Sequence, residues 1–177
     1  MSDTFAHRLQ LDRIRDGERL DLVADEQEKK AIAERLRLEG LERFEAHVAL
    51  AREGSTVRAQ GRISARLKQS CVVTGEPVPA HVDEPFELAF VPEPSTAQPD
   101  EELELGQGDL DVVFHDGAAI DLGSALADTL ALSLDPYPRS AGAEAALKDA
   151  GVVSEEEAGP FGALAQLKRK MEGGDET

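Results

Sequence analysis

The chain has 177 residues, 41% of them hydrophobic, with no Trp, a single Cys and a formal net charge of −17. That is enough apolar material for one domain with tails, and the charge argues against the chain as a whole binding nucleic acid nonspecifically. One cysteine excludes an intramolecular disulfide. With no leader-like start and no apolar run near the roughly 20 residues of a membrane helix, the sequence predicts a soluble chain in a reducing cytoplasm.

From the start, Phe5, His7, Leu9 and Leu11 alternate weakly with their neighbours, and Leu20 to Val23 offers a second short strand after an Asp16-Gly17 turn. A helix is expected next, with Asp25 as N-cap, Glu26 and Glu28 in its first turn, Ile32, Ala33 and Leu36 as a modest apolar stripe, and Gly40 as its stop. Leu41 to Arg52 alternates again, with Phe44, Ala46, Val48 and Leu50 on one side. Glu53-Gly54-Ser55 reads as a hairpin turn into a second alternating run. Val57, Ala59, Gly61, Ile63, Ala65 and Leu67 form its apolar face, and Arg58, Arg62, Arg66 and Lys68 lie on the other. The run ends at a corner, Cys71 to Val78, beyond which His81 to Phe90 continues as a strand, with Pro85 indicating an edge or a bulge.

Residues 92–109 are rich in acid, Pro and small polar side chains and predict a mobile acidic loop. Leu110 to Phe114 reads as a short strand. Ile120 to Leu134 is the clearest helix, with leucines every fourth residue from Leu122 to Leu134, Asp121 as N-cap, and Pro136 and Pro138 beyond its end. The expected organisation is one α+β domain over 1–139, its long antiparallel strands forming a curved sheet, with closure into a barrel as one option, covered by one or two helices. Residues 140–177 form a weakly ordered tail with a short C-terminal helix at Pro160 to Met171.

The sequence names no reaction. One Cys and four scattered histidines (His7, His47, His81, His115) do not make a metal site, and no phosphate-loop or dinucleotide motif is present, so no catalytic residue, cofactor or metal ligand is expected. A Cys71–His81 nucleophilic pair would need an orienting group that the sequence does not identify. The basic stripe of Arg58, Arg62, Arg66 and Lys68 is the candidate RNA contact, since cations recurring along one strand face can follow a phosphate backbone. The competing expectation is a solvated face on which these residues pair with Glu42, Glu45 and their neighbours, and the lack of interleaved aromatics favours it. Most of the excess acid lies from Glu93 onward, which suits either solubility or attraction to basic partners such as ribosomal proteins.

Two segments carry a resemblance. C-V-V-T-G-E-P-V at 71–78 and I-D-L-G-S-A-L-A-D-T-L-A-L-S-L-D-P-Y-P at 120–138 resemble the YceD family of large ribosomal RNA subunit accumulation proteins. The ending P-F-G-A-L-A-Q-L-K at 160–168 is similar to the tail of alphaproteobacterial members. The family positions are Cys71, Glu76, Pro77, Val78, Asp121, Leu122 and Gly123. Many members carry C-x-x-C-L-E-P, and Thr74 stands here in place of the second cysteine, so a paired-cysteine role does not carry over. The resemblance implies a non-catalytic part in ribosome biogenesis, in accumulation or processing of large-subunit (23S) ribosomal RNA, with the RNA precursor or a basic ribosomal protein as partner. An acidic adaptor that never touches RNA, and a metal-dependent hydrolase or nuclease, are the other classes considered.

Overall fold

The computed structural model describes residue 5, residues 7–93 and residues 111–152. The expected acidic loop, from residue 94 on, and the expected C-terminal helix lie outside the described residues. The described part divides into two compact units, one within Met1–Gln69 and Pro79–Pro136, the other within Ser70–Val78 and Tyr137–Thr177.

In the first unit, β1 (Arg8–Gln10) leads through a 3-10 turn (Leu11–Arg13) to β2 (Arg19–Val23) and α1 (Glu26–Leu36). Asp25 starts α1 with a capping box. Its Oδ1 accepts the Gln27 and Glu28 amides at 2.8 Å, and Glu28 Oε2 accepts the Asp25 amide at 2.8 Å. Such caps stabilise a helix by about 1 kcal/mol. The stop is not Gly40. Arg37 takes the left-handed conformation, φ 55, so that Arg37 N–H reaches Glu34 O and Leu38 N–H reaches Ala33 O. This is a Schellman end, with Leu38 packed on the core as its apolar partner. Gly40 instead opens β3 (Gly40–Glu53), which turns at Gly54, φ 64, into β4 (Thr56–Ser70). A two-residue turn with Gly first matches the twist of the paired strands.

Strands β3 and β4 pair antiparallel from Glu53↔Thr56 to Gly40↔Lys68, with a register shift between Leu41 and Arg43. The expected apolar faces are the buried ones: Phe44, Ala46, Val48 and Leu50 on β3, and Val57, Ala59, Ile63, Ala65 and Leu67 on β4. Gly61 sits where a Cβ would fall 1.8 Å from His47 O, so glycine there permits a close approach of the two backbones. β2 pairs antiparallel with β3, and β5 (Pro77–Pro92) lies beside β4. Pro85 precedes the start of the pairing with β6 at Leu88, so among the described residues that side of β5 has no strand partner there, in keeping with the edge or bulge that a proline indicates.

β6 (Asp111–His115) pairs with β5 in parallel, Leu88↔Asp111 to Pro92↔His115, so the sheet is mixed. Alternation in a short strand does not encode its direction. A parallel pair requires a connection of about a dozen residues or more, which the chain between Pro92 and Asp111 provides. The order β2-β3-β4-β5-β6 leaves β2 and β6 as two ends, and the sheet does not close into a barrel.

β7 (Ala119–Asp121) pairs with β1 and runs straight into α2 (Leu122–Leu132). The helix is shorter than expected because Ile120 belongs to β7. Leu122, Leu126 and Leu130 are fully buried, and Leu134 packs on the same core just past the helix end. Ile32 of α1, Phe5, and the inward faces of β3, β4 and β5 complete that core. The Arg35 guanidinium of α1 pairs with Asp128 of α2. In the second unit, Ala143–Asp149 forms a short helix, α3, where sequence reading placed none.

Candidate functional site

The outward face of β4 carries Arg58, Arg62, Arg66 and Lys68, all exposed. Strand pairing sets Arg62 opposite His47, Arg66 opposite Arg43 and Arg58 opposite Ala51. Carboxylates hold part of this basic stripe. Lys68 Nζ lies 2.9 Å from Glu42 Oε1, as anticipated, and that hydrogen bond and charge hold Glu42 below its ordinary pKa. Glu45 is taken instead by Arg43 on its own strand, at 2.6 Å, which lowers its pKa in the same way. Asp83 of β5, which sequence reading missed, lies 2.7 Å from Arg62 Nη1 and raises the Arg62 pKa. Across the sheet, Asp21, His47, Arg62 and Asp83 make one transverse row, with His47 Nδ1 2.6 Å from Asp21 Oδ1.

Arg58 has no ion pair among the described residues, and Arg66 shares the field of Glu42 with Lys68. The stripe is therefore about half neutralised, with its cationic character strongest at Arg58 and Arg66. Exposed pairs of this kind add little to stability and open readily, so Arg62 and Lys68 remain exchangeable toward a phosphate.

The corner lies in the second unit and is built around a sulfur. Cys71, 4% exposed, accepts at Sγ the backbone N–H of Thr74 (3.4 Å) and of Ser140 (3.2 Å). Its own N–H donates to Glu76 O at 2.8 Å, and Gly75, φ 74, donates back to Cys71 O at 2.9 Å. Val72 N–H reaches Pro138 O at 2.9 Å. Thr74, in the second-cysteine position, donates its hydroxyl to Glu76 Oε2 at 3.1 Å. With that proton committed, the Ser140 hydroxyl donates to Thr74 Oγ1, also at 3.1 Å. Threonine thus replaces a second thiol with a hydrogen-bond hub that fastens the turn to residue 140. Nothing local in the sequence marks Ser140, because the contact spans 69 positions. His81, in the first unit, directs Nδ1 to Ala65 O at 3.0 Å.

Burial pushes the Cys71 thiol up in pKa, but the hydrogen bonds from Thr74 and Ser140 outweigh it and bring it from 9.0 to about 6. A pKa lower in the folded than in the unfolded chain contributes stability that is complete above the unfolded value and lost as pH falls through the folded one. The corner is therefore expected to be tightest above pH 9 and to loosen progressively down to about pH 6. Thiolate ultraviolet absorbance should titrate with a midpoint near 6, and a midpoint at the ordinary thiol value would refute the hydrogen-bond account.

The second motif has a structural role at each position. Asp121 Oδ1 accepts the Ser124 amide at 2.9 Å and caps α2. Leu122 is fully buried, and its N–H donates to His7 O at 3.1 Å. Gly123 lies against the backbone of Phe5, where a Cβ would stand 1.6 Å from Phe5 O. His115, one of the scattered histidines, is also structural. Its Nδ1 accepts the Gly117 amide at 3.0 Å, so Nε2 is the donor to Ser55 O at 2.9 Å, tying β6 to the β3–β4 turn. Among the described residues no three His, Cys, Asp or Glu side chains converge as metal ligands would.

The site thus comprises an open mixed sheet with a basic outer strand face and a corner held by hydrogen bonds around one sulfur. The family model of the large ribosomal RNA subunit accumulation protein YceD matches residues 59–168, more than half of the chain, and the chain belongs to that family. The match takes in most of the basic strand, the Cys71 corner and all of α2. No curated protein and no solved structure matches the chain at a significant level.

Proposed function

We propose that this chain is a non-catalytic cytoplasmic factor in ribosome biogenesis that promotes accumulation or processing of 23S ribosomal RNA, binding the RNA precursor, a basic ribosomal protein or both. Family membership carries the reading. The outer face of β4 is the surface assigned to RNA, with Arg58 and Arg66 making the first phosphate contacts and Arg62 and Lys68 recruited by exchange of their carboxylate partners. No described helix is long and apolar enough to cross a membrane.

Deleting the gene is expected to lower mature large-subunit RNA and raise its precursor, read by hybridisation to the two species and by subunit sedimentation. Unchanged RNA and subunit profiles would remove the assignment. Capture of partners from lysate with and without nuclease separates the two modes, since a chain that reaches the ribosome through protein alone keeps its partner after RNA is digested.

A further inference from the structure

Between β5, β6 and α2 the first unit has a groove of about 190 Å³ that opens into a second of about 410 Å³, the two sharing Asp111, Thr129 and Leu132. Its floor is apolar, with Leu88 and Ala125 at the bottom and Val113 and Leu132 higher up; Leu132 is 79% exposed. Its rim is acidic. Glu84, Glu87, Asp111, Asp121 and Asp128 line it, and among the described residues no Lys or Arg does. Asp128 is held by Arg35, whereas Glu87 and Asp111 have no ion pair among the described residues.

Leu132 extends the apolar floor to the groove's edge. Carboxylates around it repel phosphate, so RNA is a poor occupant. Residues 94–110 contain acidic residues and no Lys or Arg, and like charge disfavours them as an occupant as well. We propose that the groove docks a cationic amphipathic segment of a partner protein, an apolar side chain resting on Leu88 and Ala125 and Lys or Arg side chains meeting Glu87 and Asp111. The proposal rests on the reading above, and gives its basic protein partner a surface separate from the basic outer face of β4.

The probe is a fluorescently labelled synthetic helix of Lys and Leu with its leucines on one face, compared with a scrambled peptide and with a Glu–Leu counterpart. Anisotropy on the full chain is expected to show saturable binding of the first peptide alone, weakened about tenfold by Glu87→Lys with Asp111→Lys, and similarly by Leu132→Asp. These positions are exposed, and circular dichroism confirms that the variants fold. Three results would overturn the proposal: no saturable binding, equal binding of the scrambled peptide, or single-stranded RNA binding that these same variants abolish. RNA affinity through Arg58 and Arg66 is the separate readout. If it persists while the peptide fails to bind, the groove assignment falls and the ribosomal RNA reading stands; loss of the RNA phenotype with intact peptide binding does the reverse.

Discussion

Gly123→Ala is expected to lower the free energy of unfolding by about 3 kcal/mol, the upper end of what overpacking a well-filled core costs. Alanine is ordinarily the better helix residue, and at an exposed helical position the same change would stabilise by up to about 1 kcal/mol. The sign reverses because the new methyl carbon would stand 1.6 Å from the Phe5 carbonyl oxygen, a backbone atom that cannot turn aside. Relief requires α2 to retreat from Phe5, which is fully buried against Phe44 with ring centroids 5.1 Å apart. Gly142→Ala is the control, since its Cβ would meet nothing nearer than Glu76 Oε2 at 3.7 Å. Urea titration should show a lower midpoint with unchanged slope for Gly123→Ala and near-wild-type behaviour for Gly142→Ala. Equal midpoints for the two would show that the close packing of α2 on Phe5 carries no stability.

Reversing Arg58, Arg62 and Arg66 together to glutamate is expected to weaken binding to large-subunit RNA precursor fragments by about a hundredfold and to flatten the dependence of log affinity on log salt by about 2. The three are not equal. Arg62 already answers to Asp83, so Arg58→Glu and Arg66→Glu should account for most of the loss. Asp83→Asn frees the Arg62 guanidinium and is expected to tighten RNA binding severalfold, a gain that a merely solvated face would not give. Filter binding across a salt series reads both effects. Affinity and slope indifferent to all of these changes would take β4 out of the RNA contact.

The alternation in Phe44–Leu50 and Val57–Leu67 made the β3–β4 hairpin legible, because burying one face of a strand imposes a period of two that few other structures share. Asp25 and Asp121 were equally legible as caps, since a short acceptor before an apolar stripe has one obvious use. What escaped was decided by partners distant in the chain. The left-handed stop at Arg37 is stabilised by where Leu38 packs, and a connection as long as the one before β6 is compatible with either strand direction. The Asp83 partner of Arg62 was missed because β5 carries several acids and sequence does not say which one faces the stripe. Cys71 was visible as a marker, but its environment depends on Ser140, and Thr74 gained meaning only through the three groups bonded to its hydroxyl.

Pinning Phe5 beneath Gly123, with β1 closed on β7, has a consequence for how the molecule is made. The hairpin of β3 and β4 can assemble as soon as both strands have left the exit tunnel, since its contacts are neighbours along the chain. Phe5 must wait. Its seat does not exist until α2 has been synthesised, so the earliest buried side chain among the described residues is among the last to be housed, and a nascent chain stalled before residue 123 carries it unsheltered.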